Sequence, residues 1–212
     1  MNNLNWFVKS LAAATLALLA AAILLPMFAR WRENDGHRKV SCQSNLVQNA
    51  FGLKQYSWDY DKHFPPVSLS NGERVGWADV IQPYTKSTQI LQCPLEKGWP
   101  QNPSPHQRGY TDYWMNANLA GAKQSAIRNP AATILSGDGN DGADANDSSY
   151  ALSSLPPSWI LDKQSPAYRH GAKRTDTGIG ANYAFADGHF KMLKPGEIAA
   201  NAGNNKPSFA VR

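Results

Sequence analysis

The most pronounced feature of the chain is a run of twenty residues without a charge, Ser10 to Ala29, between Lys9 and Arg30. As a helix rising about 1.5 Å per residue, such a run spans about 30 Å, the thickness of a bilayer's hydrocarbon core. Alanine and leucine, both strong helix formers, dominate it. Pro26 lies late in the run and would bend the helix rather than forbid it. No position is polar enough to make a solvated face, so a core helix of a soluble domain fits poorly. The rival is a cleaved signal peptide with Lys9 in its basic region. The run exceeds the usual apolar region of such peptides, and Met27-Phe28-Ala29 puts a large residue where the cleavage site needs a small one. The expectation is an uncleaved transmembrane helix over residues 1–30 and one soluble domain over residues 31–212.

Beyond it the pattern changes period. Leu46, Ala50, Leu53, Ser57 and Tyr60 recur at spacings of four, three, four and three, which makes one stripe of a helix. Ser41 and Ser44 suit the cap of a fresh helix, or the anchor continues through Asn34-Asp35-Gly36, a poor helix interior. Phe64-Pro65-Pro66 ends the helix. Ser70-Asn71-Gly72 reads as a turn, Trp77 to Tyr84 as a short helix, and Gln89–Cys93, Tyr110–Asn116 and Ala132–Ser136 as strands. Gly137–Ser149 reads as a long acidic loop, and residues 150–180 as irregular. From Asn182 to Leu193 two alternating runs flank Asp187-Gly188, the dipeptide favoured in a two-residue type I′ hairpin turn. The fold expected is α+β: a long N-terminal helix, membrane-spanning in its first half, packed on a small antiparallel β-sheet.

Charge adds little to this picture. The net charge is +5 with a pI near 9.2, and Arg30, Arg32, Arg38 and Lys39 account for four cations beside the apolar run. Anionic lipid headgroups attract such a cluster, so membrane lipid is the partner it implies. No nucleic-acid-binding motif accompanies it, and no nucleic-acid partner is expected. Counting basic flanks would put the domain on the cytoplasmic side, a rule that weakens before a long domain. The cysteines point outward. There are two, Cys42 and Cys93, which fit one disulfide in an oxidising compartment; two separate buried thiols are the alternative. Neither sits in a Cys-x-x-Cys pair, the spacing typical of structural zinc and thioredoxin-like sites.

Four stretches together resemble the type IV pilin-like pseudopilins, in the subgroup with a prepilin-type N-terminal helix and a C-terminal His-X9-Asp-Gly motif. They are Ile23 to Glu33, at the end of the apolar helix; Ser41-Cys-Gln-Ser-Asn-Leu46 with Tyr56 to Pro66; Trp77, Pro83-Tyr84 and Cys93-Pro94; and Gly180 to His189, preceded by Arg169-His170. The resemblance implies a pilin-like fold and a subunit of a type II secretion or type IV pilus-like filament. Its partners would be other pilin-like chains met through the N-terminal helix, with the domain facing the periplasm or cell exterior of a bacterium. Three positions depart from the family pattern. Aligned on Pro26, Leu4 stands where the family has its cleavage-site glycine, and Lys9 where it has the glutamate that pairs with a neighbour's amine. Sixteen residues, not nine, lie between His170 and Asp187.

Candidate sites follow from residue type. His170, Asp187 and His189 offer two imidazoles and a carboxylate, a plausible metal set, with Gly188 completing the motif; the plain alternative is a hairpin turn with an exposed His189. Asp138, Asn140, Asp141, Asp144, Asn146 and Asp147 gather hard oxygen donors suited to Ca2+, though Gly142 breaks the EF-hand spacing and a solvated loop is the plain alternative. Trp99 and Trp159, in proline-rich stretches, are candidates for stacking on a glycan or protein ligand. No Gly-x-Ser-x-Gly elbow, His-Glu-x-x-His or phosphate-binding glycine loop is present. A non-enzymatic structural or adaptor subunit requiring no cofactor is therefore expected. The rivals are a cell-surface binding module and a membrane-tethered metal hydrolase using His170, Asp187 and His189.

Overall fold

The computed structural model describes residues 2–70, 74–96, 102, 104–139, 147–157, 159, 170, 180–194, 196–199 and 205–211. The chain divides into two compact units, Met1–Arg38 and Lys39–Arg212. Helix α1, Asn2–Asp59, belongs to both and contains Pro26. It is helical through Asn34-Asp35-Gly36, so no fresh helix starts at Ser41 or Ser44, which lie inside it.

In the first unit, Val8–Pro26 is long and apolar enough to cross a membrane, and none of it is buried. Leu16, Leu18, Leu19, Ile23 and Leu25 are all more than half exposed.

The second unit is a mixed α+β domain. Its sheet has the order β5-β3-β4-β6-β7, built from Tyr113–Asn116 (β3), Ile134–Asp138 (β4), Ala151–Leu152 (β5), Ala181–Phe185 (β6) and Phe190–Leu193 (β7). Pairing is antiparallel except between β3 and β5, which are parallel. A separate antiparallel pair joins Ser68–Ser70 (β1) to Arg74–Gly76 (β2).

Alternation in the three middle strands sends side chains into two cores. Tyr113, Met115, Leu135 and Ala184 join Cys42, Leu46, Ala50 and Leu53 of α1. Trp114, Ile134, Ala181, Tyr183 and Phe185 join Trp159, Leu155 and Phe209. The period of two thus divides each strand between faces, and both faces are covered. The helical stripe is buried at Leu46, Ala50, Leu53 and Ser57 but ends before Tyr60, which lies beyond α1, is exposed, and stacks on Tyr56 with ring centroids 4.1 Å apart.

Several local expectations are corrected. Trp77–Tyr84 is two short helices, Trp77–Val80 (α2) and Gln82–Thr85 (α3), because Pro83 sits in the first turn of the second. Gln89–Cys93 is no strand; Gln89–Leu91 forms a 3-10 turn. The Asn45 and Asn49 amides of α1 donate to the carbonyls of Gln92 and Ile90 at 2.8 and 2.9 Å, holding those groups from any sheet partner. Gly137 and Asp138 are the end of β4 rather than the start of a loop.

The β6–β7 hairpin exists, but its loop is the three residues Ala186-Asp187-Gly188. Gly188 N–H donates to the Phe185 carbonyl, Phe185 N–H donates to the His189 carbonyl, and only Gly188 of the three has a positive φ, +105°. That is a tight turn closed by a glycine bulge, whereas a type I′ turn needs positive φ at Asp187 too.

Candidate functional site

The buried polar residues of the second unit converge where α1 meets the far end of β4. Cys42, on the buried stripe of α1, is bonded to Cys93, 51 residues on, so the disulfide expected from the cysteine count is present. Cys93 is fixed from the other side, its N–H donating to Asp112 Oδ2 at 2.6 Å. The Tyr113 hydroxyl donates to the Cys42 carbonyl at 2.9 Å. Against this bond lies His170, whose N–H donates to the Gly180 carbonyl at the start of β6. Its Nε2 is 3.7 Å from Cys93 Sγ and 3.2 Å from Asp138 Oδ2. Asp138 Oδ2 also accepts from Asn182 N–H at 2.6 Å, which ties β4 to β6. A buried carboxylate requires donors or a cation, and these two groups supply them.

The arrangement superficially matches a cysteine–histidine–aspartate triad, but the geometry differs. In a triad the carboxylate holds the nitrogen remote from the nucleophile. Here Cys93 and Asp138 share Nε2, while Nδ1 has no partner among the described residues. Cys93 is oxidised and fully buried, so no nucleophilic sulfur faces solvent.

This placement separates the candidate sets. His170 and Asp187-Gly188-His189 do not converge: His170 lies by Gly180 and Asn182, whereas His189 stacks on Phe185 at the other end of β6, with ring centroids 4.2 Å apart. The five residues of β6 separate those ends by about 13 Å. The proposed metal set is corrected accordingly to two pairs, His170 with Asp138 and His189 with Asp187. In the second, exposed pair, His189 Nδ1 is 2.7 Å from Asp187 Oδ1, and Lys54 of α1 donates to the Asp187 carbonyl at 2.8 Å. Burial pushes the Asp187 carboxyl up, but the His189 main-chain and ring contacts and the Lys54 charge outweigh it and hold the group below its ordinary value.

Asp138 is likewise removed from the calcium set, since it is buried in β4 with its carboxylate turned to His170 and Asn182. Asp147 Oδ1 accepts from Ser149 N–H at 2.9 Å in a tight turn. Asn140, Asp141, Asp144 and Asn146 lie outside the described residues, as does Trp99. Trp159 is no surface residue; it is 2% exposed, in the core with Trp114 and Phe209, because the segment after β5 covers the second face of the sheet. An open hollow elsewhere is lined by Asn118, Gly121, Ala122, Lys123, Ala126, Ala210 and Val211, and offers a single titratable group, Lys123.

The residues that sequence reasoning missed are Asp138 as a strand aspartate and Asp112 as the clasp of Cys93. A signal for Asp138 existed: Ile134-Leu135-Ser136-Gly137-Asp138 is an extended run with a small residue, Gly137, where the Trp114 ring lies 2.5 Å from where a Cβ would stand. No family model matches the chain, and neither does any curated protein or solved structure.

Proposed function

We propose that this chain is a non-enzymatic, membrane-anchored, pilin-like structural or adaptor subunit of a type II secretion or type IV pilus-like filament system. Residues 39–212 would face the periplasm or cell exterior. The observation that carries this reading is helix α1 itself: one element, Asn2–Asp59, holds a membrane-length apolar span and then the core stripe of an α+β domain. The buried Cys42–Cys93 disulfide suits an oxidising compartment.

A second apolar line on α1 supports contact with neighbouring helices. Val40, Val47, Phe51 and Trp58 recur at spacings of seven, four and seven, which places them within about 40° of one another around the helix. Val40, Phe51 and Trp58 are each more than half exposed. Leu4 and Lys9, where the resembled family has glycine and glutamate, fit a subunit that keeps its N-terminus and assembles by a different charge rule. A lysine there repels a neighbour's amine rather than pairing with it.

The test is purification from native membranes. The protein should resist alkaline carbonate extraction and elute from mild detergent with other pilin-like chains. Recovery with no pilin-like partner and no filament overturns the proposal.

A further inference from the structure

The disulfide corner also gathers side chains of metal-ligand type, whatever becomes of the filament reading. Cys42 Sγ, Cys93 Sγ and a ring nitrogen of His170 lie within 4.8 Å of one another, all three residues buried. Asp138 is 1% exposed, and its Oδ1 has no partner among the described residues. Two distances at His170 resemble edges of a coordination tetrahedron, whereas the Cys42–Cys93 bond must open and Asp138, outside the three-residue cluster, must move in to complete it. With metal–sulfur bonds of about 2.3 Å and metal–nitrogen and metal–oxygen bonds of about 2.0 Å, a zinc tetrahedron has N···S edges of about 3.5 Å and N···O edges of about 3.3 Å. Here His170 Nε2 is 3.7 Å from Cys93 Sγ and 3.2 Å from Asp138 Oδ2.

We propose that the reduced chain binds a zinc-class divalent cation through Cys42, Cys93 and His170, with Asp138 closing the fourth position. Two thiols of a reductant give up two electrons and two protons, becoming a disulfide themselves. The Cys42–Cys93 bond breaks, and the two sulfurs become thiols. Cation binding releases both thiol protons, His170 ligates as a neutral imidazole with its proton on Nδ1, and the two thiolates balance the ion while the Asp138 carboxylate keeps its one negative charge beside Asn182 N–H. Asp138 Oδ2 keeps a lone pair for the metal while it accepts from Asn182 N–H, and at 3.2 Å from His170 Nε2 it can swing into the fourth position once the sulfurs part. The corner where α1 meets the sheet therefore has two alternative cross-links, a disulfide when oxidised and a metal when reduced. Cysteine spacing gives no hint of the second, because its ligands come from four separate segments.

The test uses the full-length protein in detergent, reduced and titrated with Co2+ alone and then Zn2+. The reduced protein should take up one equivalent of Co2+ with thiolate-to-metal charge transfer and the intense visible bands of tetrahedral cobalt. Zn2+ should displace it, and the oxidised protein should show neither. His170→Ala and Asp138→Asn should each weaken Zn2+ binding at least about tenfold, the scale on which such ligand-sphere changes act. A reduced wild type without tetrahedral bands overturns the proposal, and so does a folded His170→Ala with wild-type affinity. An unchanged affinity in Asp138→Asn overturns the assignment of the fourth position. Should either variant fail to fold, the thermal midpoint of the reduced wild type decides: it should rise with Zn2+, and a midpoint indifferent to Zn2+ contradicts the site.

Discussion

Gly76 shows how tightly single residues are placed in the second unit. A Cβ there would stand 2.0 Å from the Ser148 carbonyl oxygen, and that same oxygen accepts from Ala78 N–H at 3.1 Å. Main chain crosses the start of α2 with no room for a methyl group. Gly76→Ala should therefore destabilise the domain by about 1–3 kcal/mol, the usual cost of overpacking, measured as a lower urea midpoint at unchanged slope. Close by, the Tyr110 hydroxyl is 3.3 Å from Asp79 Oδ1. Burial, reinforced by the Asp79 charge, pushes this phenol up to about 12. Because the folded value exceeds the unfolded one near 10, the neutral phenol's contribution is complete below about pH 10 and is lost as pH rises to about 12. Urea titrations across that window should show Tyr110→Phe losing less stability than the wild type, by about 1–2 kcal/mol. None of these placements is readable from the residues' neighbours in sequence. Gly76 gives no turn signal, and Tyr110 meets Asp79 only after the chain has folded back. The same holds for the meeting of His170 with Asp138, which exists only once β4 and β6 pair.

At the scale of elements, legibility follows periodicity. The stripe Leu46-Ala50-Leu53-Ser57 is buried as its spacing requires, and the two runs flanking Asp187-Gly188 are β6 and β7. Where pattern alone decides, as at Ile90 and Leu91, it misleads: two apolar residues suit a strand or a buried turn equally, and the Asn45 and Asn49 amides favour the turn. The disulfide was legible from cysteine count, since an even pair leaves one possible intramolecular bond. Its contribution is calculable, because a closed loop with a 51-residue separation constrains the unfolded chain by about 4 kcal/mol on the chain-entropy model. A Cys42→Ser, Cys93→Ser double variant in metal-free buffer should lose stability of about that size in urea denaturation.

For the whole molecule, the sequence shows more of the architecture than of the site. A twenty-residue uncharged run and a following amphipathic stripe suffice to anticipate an apolar N-terminal helix and an α+β domain. The metal and calcium sets combine residues close in sequence or shared in a motif, while the buried cluster draws on α1, the segment after the 3-10 turn, β4 and His170. The filament reading requires that the exposed line of α1 meet a neighbour's helix. A photo-crosslinking amino acid at Phe51, activated in intact membranes, tests that contact directly. The account predicts an adduct joining the chain to a second copy or another pilin-like subunit; a chain that stays wholly monomeric after irradiation would contradict it.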